Sequence, residues 1–407
     1  MNIYITKKPK DSPDYEFVER KGIGHPDTLS DALAEVLSVK YSNYTLEKFG
    51  AVLHHNFDKV GLLGGASFVT FGKGYLIKPI RVLLNGRAST KFGDEEIPVK
   101  EMLISWAKEF LKSRFPMINP DKDLEFHYNL SSQSSPGKTE EFESTNAPRK
   151  HWFEPRTLQD LPETKKLVSN DTSLGVGYAP HTILEQLVLK IENTLNSEEF
   201  KKENPWIGSD IKIMGYRNHD QFGITMCIPQ IADHVKSAGE YKTNMEKARK
   251  VIFKISKDLG IKDLELNFNT RDNFNTMELY LTAIGSSIES GDEGLVGRGN
   301  RINGVISPTR PMSMEGACGK NPVYHIGKVY YVTANEISKK IYEEFKVPNE
   351  VALISQSGRD LLDPWAIFIT LPEDFKDKDG VKKLVEKEVK SIPEITKLLL
   401  QEKIQLY

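Results

Sequence analysis

The chain has 407 residues, 39% of them hydrophobic and 28% charged. This is globular composition, too long for one ordinary core and unlike a disordered or fibrous chain. The formal net charge of −2 excludes a general field drawing the chain to nucleic acid or a membrane surface, so any polyanionic ligand must be held by a local cluster of cations.

The opening residues, 1–21, hold no apolar run of signal-peptide length, and no stretch is long enough in apolar residues to span a bilayer. A soluble cytoplasmic protein is expected. The first helix is predicted after Pro26, where Leu29, Leu33, Val36 and Leu37 share a face, and it fades near Gly50. Strand-like runs follow at 61–71 and 76–85. Met102, Leu103, Trp106 and Phe110 mark a second helix. Residues 131–156 lack periodicity and read as a linker or an active-site lid. Leu184, Leu187, Val188, Ile191 and Leu195 mark a third helix. Strands are predicted at 211–216 and 222–228. A fourth helix, carrying Val251, Ile252, Ile255 and Leu259, is stopped by Gly260. Further strands are predicted at 264–269 and 276–284, the latter as a half-buried antiparallel strand because Leu279, Leu281 and Ala283 alternate with polar neighbours. A fifth helix runs through Ile326, Val329, Tyr330, Ile337 and Ile341, and a C-terminal helical stretch, 381–402, is interrupted by Pro393. Strands arrive in groups rather than one per helix, which favours an α+β fold. The two cysteines, Cys227 and Cys318, are expected as free buried thiols.

Four glycine-bearing segments carry the candidate chemistry. Lys21-Gly-Ile-Gly-His-Pro-Asp27 presents His25 and Asp27 at a helix start, where one could donate to a leaving oxygen and the other hold a divalent cation. The alternative is a plain capped junction. In Asn170-Asp-Thr-Ser-Leu-Gly-Val-Gly-Tyr-Ala-Pro180, Asn170, Asp171 and Ser173 read as a plain turn, or Asp171 could equally grip an amine or a ribose hydroxyl. Gly291–Arg301 and Met314–Pro322 flank Arg310-Pro-Met. From Gly297 to Lys328 the cations Arg298, Arg301, Arg310, Lys320 and Lys328 face one carboxylate, Glu315. Glycines permit close backbone approach, and Arg and Lys bind phosphate oxygens, so this is the local positive cluster that the net charge requires. No P-loop, GxGxxG or HExxH is complete. The pair His54-His55 points to opposite faces if extended, with a packing role for at least one of them.

Six strings occur in order along the chain: ERKGIGHPD (19–27), LHHNFD (53–58), NDTSLGVGYAP (170–180), SDIKIMG (209–215), GDEGLVGRGNR (291–301) and RPMSMEGACGKNPVYHIGK (310–328). Together they resemble the S-adenosylmethionine synthetase family, specifically its archaeal-type branch. That resemblance implies three similar α+β subdomains of mixed or antiparallel sheet plus helices, interleaved about a pseudo-threefold axis, here drawn approximately at 1–135, 136–270 and 271–407. It implies a homodimer with interfacial active sites, with pairing into tetramers left open, and the use of ATP, methionine, Mg2+ and K+. The potassium ligand is not placed. By resemblance His25 is the donor to the leaving oxygen and Asp27 a magnesium ligand. Lys212, Arg298 and Lys320 hold polyphosphate. Asp171, Asp210 and Asp292 hold ribose, adenine or the methionine amine. Gln133 belongs to the methionine loop. Arg301 and Arg310 are assigned to substrate from local charge, and Asn321 is a further substrate-binding candidate. The implied reaction is attack of the methionine sulfur on C5′ of ATP, followed by hydrolysis of the released triphosphate to pyrophosphate and phosphate. A thioether needs no deprotonation, so no nucleophile–base pair is expected.

Thr28, Ala66, Gly137, Gly299 and Tyr324 depart from the better-known bacterial and eukaryotic branch. These changes leave the reaction class intact and bear on methionine selectivity. A non-catalytic nucleotide-binding or S-adenosylmethionine-binding regulator is the alternative, and it is disfavoured because His25, Asp27 and Lys320 are all present.

Overall fold

The computed structural model describes residues 1–8, 14–132 and 150–407. Gln133 and Gly137 lie outside them. The fold is α+β, built on three larger sheets, each backed by its own helices and core.

The first sheet runs Leu124–Ser131, Ile80–Ala88, Gly61–Leu63 and Glu293–Leu295, with His55–Asn56 paired to the second of these. Its core joins Leu29, Leu33 and Leu37 of helix Pro26–Phe49 to Leu103 of helix Val99–Arg114 and to Val82 and Leu84. The second sheet runs Leu264–Phe268, Gln221–Cys227, Lys212–Asn218 and Tyr15–Lys21. Helices Ile183–Leu195 and Ala238–Asp258 cover it, with Leu187, Ile191, Ile213 and Ile252 fully buried. The third runs Ile3–Lys8, Ala366–Pro372, Asn349–Ile354 and Leu174–Ala179, against helices Ile326–Phe345 and Lys378–Lys390. Each fully buried Leu, Ile or Val contributes roughly 1.5–3 kcal/mol relative to exposure, so three separate cores stabilise the chain where one would be overstretched.

Segments far apart in sequence meet in every sheet. Tyr15–Lys21 pairs antiparallel with Lys212–Asn218, and Ile3–Lys8 pairs parallel with Ala366–Pro372. The helices predicted from periodicity are all present. The C-terminal stretch divides at Ser391 into Lys378–Lys390 and Ile392–Leu400, and Pro393 sits in the first turn of the second helix, where its missing N–H costs nothing.

Two readings need correction, and one strand is additional. The strand expected at 276–284 reduces to Leu281–Thr282, and it pairs parallel with Gln230–Ile231 rather than antiparallel. Its alternation reflects Leu279 and Leu281 turned to the second core while Tyr280 turns to a carboxylate. Cys227 is exposed; only Cys318 is buried. A strand that was not expected, Leu174–Ala179, follows the bend at 170–173, and its glycines lie against a helix backbone. A Cβ at Gly175 would sit 2.3 Å from the Tyr330 carbonyl carbon, and one at Gly177 would sit 2.5 Å from that of Ala334.

Candidate active site

His25 is the N-cap of helix Pro26–Phe49, and its Nδ1 accepts the Asp27 N–H at 3.2 Å. That bond places the proton of the neutral ring on Nε2. Burial lowers the imidazole pKa, against the opposing pull of Asp210 and Asp27. The result is an uncharged donor at the positive end of a helix.

The same helix start grips the glycine segment that carries Arg298. Asp27 Oδ1 accepts the Leu295 N–H at 3.0 Å, and Asp31 accepts the Gly297 and Gly299 N–H groups at 2.8 and 3.1 Å. Asp27 Oδ2 accepts from the Lys21 ammonium at 2.8 Å, and Lys21 also donates to the Arg298 carbonyl at 2.7 Å. Contact is close enough that a Cβ on Gly294 would lie 1.9 Å from the Pro26 carbonyl oxygen.

A second turn, at Ser209–Ile211, lies against the first. Gly22 N–H donates to the Ile211 carbonyl at 2.8 Å and Gly24 N–H to that of Ser209 at 3.0 Å. Asp210 thereby comes near His25, and Lys212 follows on the strand with its ammonium 3.2 Å from Glu19. Asp210 Oδ2 meets the Ser287 N–H at 2.9 Å, the Ser287 hydroxyl at 2.6 Å and the Tyr280 hydroxyl at 3.2 Å. Ser287 Oγ is also 2.9 Å from Asp292 Oδ2. The Ser287 hydroxyl proton serves only one of the two carboxylates at a time. Burial raises the Asp210 pKa, opposed by His25 and by the hydrogen bonds from Ser287 and Tyr280.

The third element is a cleft of about 320 Å³ lined by Asp58, Lys59, Arg298, Glu315 and Lys320, among others. The Lys320 ammonium is buried and donates to Glu315. Desolvation outweighs the carboxylates of Asp58 and Asp171 and brings its pKa down to about 8. Glu315 also accepts from Ser173 at 3.3 Å, which brings the Asp171 turn alongside. Glu315 is thus the internal counter-ion of Lys320. The Arg298 side chain is exposed at the rim.

Other candidates are occupied elsewhere. Arg301 donates to the carbonyls of Gly297, Gly299 and Ser313 at 2.6, 2.8 and 3.2 Å, so it fastens the loop from within. Arg310 stacks over Tyr178 at 3.9 Å and lines a different cavity with His181 and Arg217. Asn321 is fully buried and donates to the Leu53 carbonyl at 3.2 Å. Lys328 pairs with Glu35 at 2.7 Å, out of reach of solvent. His55 bonds Ser38 and the Leu53 carbonyl at 2.8 and 2.9 Å, and His54 packs on Phe153 and Tyr324. Sequence reasoning assigned no role to Asp58, Lys59, Tyr280 or Ser287. Asp58 ends the LHHNFD string and Lys59 follows it, which was a usable signal; Tyr280 and Ser287 carried none.

Among the described residues no group of three or more His, Cys, Asp or Glu side chains is arranged to hold a metal ion. Both Asp27 oxygens are already bonded, one of them to an ammonium. The donor set therefore does not form an all-protein cage. It suits a hard cation that takes most of its oxygen ligands from phosphate and water, with one carboxylate from the protein.

Residues 2–403 match the model of the S-adenosylmethionine synthetase (AdoMet synthetase) family. The chain belongs to that family. Within it, the chain is similar to its archaeal-type members: it is 35% identical to an S-adenosylmethionine synthase of Archaeoglobus fulgidus over 100% of both chains. A synthase of Pyrococcus furiosus is 36% identical over 99% of this chain and 98% of its own. A probable S-adenosylmethionine synthase of Aquifex aeolicus is 37% identical over 97% and 96%. An S-adenosylmethionine synthetase structure from Campylobacter jejuni, described as unusual, shares the fold at a TM-score of 0.60 and 14% identity, covering 96% of this chain and 93% of that one.

Proposed function

We propose that this protein is a methionine adenosyltransferase, joining methionine to the adenosyl group of ATP. The observation that supports it best is the direct attachment of the His25 helix start, through Asp27 and Asp31, to the glycine segment bearing Arg298. A leaving-group donor and a polyphosphate cation are thereby held in one rigid arrangement.

In this reading the triphosphate enters between Lys320, Arg298 and Lys212 and displaces Glu315 from Lys320. His25 donates from Nε2 to the 5′ oxygen as the C5′–O bond breaks and the methionine sulfur bonds to C5′. Asp210 and Asp292, joined through Ser287, receive the methionine ammonium or the ribose, and Asp171, whose charge acts on Lys320, is a further candidate for either. The released triphosphate is then hydrolysed to pyrophosphate and phosphate among the same cations. Mg2+ would offset negative charge on the phosphates, with Asp27 the residue to hold it in exchange for Lys21. K+ is expected as a second ion. Gln133 is proposed for the methionine loop, and Arg301, Arg310 and Asn321 for supporting roles.

We take the three cores as three interleaved units around a pseudo-threefold axis. We propose a homodimer with sites shared between protomers, working in the cytoplasm without nucleic acid or membrane. Among the described residues no helix is long and apolar enough to cross a membrane.

The test is incubation with ATP, methionine, Mg2+ and K+, with products followed by mass spectrometry and a control lacking methionine. Methionine-dependent S-adenosylmethionine with phosphate and pyrophosphate is expected. ADP as the sole nucleotide product would overturn the assignment, and nucleotide binding without turnover would indicate a regulatory relative instead.

A further inference from the structure

Neither the His25 turn nor the Asp210 turn is a helix or a strand, yet both must be held rigidly for an in-line displacement. One carboxylate from outside both turns holds them together. Glu192, on the last turns of helix Ile183–Leu195, is fully buried. Its Oε1 accepts the Ile23 N–H at 3.2 Å, in the middle of the Gly22-Ile23-Gly24 turn that leads into His25. The same oxygen accepts from the Asn196 side-chain amide at 2.6 Å, and that amide also donates to the Ser209 carbonyl at 3.2 Å, next to Asp210. Its Oε2 accepts from Arg20 at 2.7 and 3.0 Å, and Arg20 itself donates to the Gly304 carbonyl at 2.6 Å.

From this geometry we infer that Glu192, through Asn196 and Arg20, is a positioning residue for the reaction, setting the spacing between His25 and Asp210. A buried carboxylate that only balanced Arg20 would need no contact with either turn. Here one oxygen is given over to the turns and the other to the cation. The two glycines fit the same purpose. A Cβ on Gly24 would lie 2.5 Å from that of Ser209, and one on Gly22 would lie 2.6 Å from the Ile211 carbonyl oxygen. The turns therefore touch without side chains between them, and the clamp acts on backbone, so a small shift at Glu192 reaches His25 undamped.

The inference rests on the synthetase reading, and wild-type turnover is its control. Removing one charge alone would leave its buried partner uncompensated and risk unfolding. Two double variants avoid this. Arg20→Met/Glu192→Gln removes both charges and keeps an oxygen acceptor for Ile23. Arg20→Met/Glu192→Met removes the acceptor as well. Both lose the Gly304 bond equally. We expect the Met variant to have a kcat lower than the Gln variant by roughly tenfold or more, with similar KM for ATP and methionine and similar melting temperatures. In a His25→Ala background the same exchange should change kcat little, because the clamp acts through His25. Equal kcat in the two doubles, or a loss as large with His25 absent as with it present, would overturn the inference. An inactive wild type would instead count against the synthetase reading itself.

Discussion

The Lys21 ammonium lies 2.8 Å from Asp27 Oδ2 and 2.7 Å from the Arg298 carbonyl, so a single cation ties the helix start to the cation-bearing loop. In the proposed reading, Asp27, the magnesium ligand, is held by Lys21 until substrate arrives. Lys21→Met should remove that tie while leaving Asp27 its Leu295 N–H and the helix N-terminus. We expect a stability loss of about 1–3 kcal/mol in urea unfolding, typical of a lost charged hydrogen bond, with a larger fall in kcat/KM for ATP.

His25→Ala should lower kcat by roughly 100-fold or more, the scale of a lost donor to a developing oxyanion. The same change removes an N-cap, worth about 1 kcal/mol. Steady-state kinetics beside thermal melts separate the two effects. Folding collapse with intact specific activity in the soluble remainder would place His25 outside the chemistry.

Lys320 gives a pH prediction. Its buried ammonium titrates at about 8, and phosphate needs the charged form. Affinity for ATP should therefore weaken as pH rises through that value, seen as a rising KM for ATP. Bound ATP in turn should pull the pKa upward. Lys320→Arg, which stays charged throughout, should flatten this limb even if its absolute KM is worse. The sign for stability is opposite. A lysine whose folded pKa lies below its unfolded one penalises the fold at lower pH, and that penalty is relieved between about 8 and the ordinary lysine range.

Glu35 holds the buried Lys328 at 2.7 Å and accepts the Gly319 N–H at 3.0 Å, next to Lys320. Glu35→Gln leaves an ammonium without its counter-charge, and a loss of about 3–5 kcal/mol is expected. Denaturant midpoints measure it. Glu35→Met/Lys328→Met should recover most of that loss, which would identify the cost as unpaired charge rather than altered packing.

Gly294→Ala should be among the most damaging single-methyl changes in the chain, because its Cβ would meet the Pro26 carbonyl at 1.9 Å with backbone on both sides. Overpacking of this kind typically costs about 1–3 kcal/mol, and more when neither wall gives way. Soluble yield and melting temperature read the effect.

How far the sequence could be read depended on which signal each residue carried. The amphipathic helices were legible because Leu29, Leu33 and Leu37, or Leu184, Leu187 and Ile191, repeat at the helical period and face a core. The strand Leu174–Ala179 was not, because Gly175 and Gly177 look like turn residues; their missing side chains are what let helix Ile326–Phe345 lie on the sheet. The helix start at His25–Asp27 stood out because Pro26 and Asp27 suit a first helical turn whatever packs around it. Counting cations found the loop with Lys320 and Arg298 but could not tell that Arg301 turns inward to three carbonyls or that Arg310 stacks on Tyr178. Direction is a tertiary property, as is the Ser287 hydroxyl lying between Asp210 and Asp292.

The parallel pairing of Ile3–Lys8 with Ala366–Pro372 has a consequence for synthesis. At about 5–20 residues per second, the first strand leaves the ribosome tens of seconds before its partner exists. The third sheet is therefore the last to close, and until then its opening strand is an unpaired edge. Lys7 and Lys8 at that strand's end, both exposed, are the kind of charge that discourages such an edge from pairing with another nascent chain.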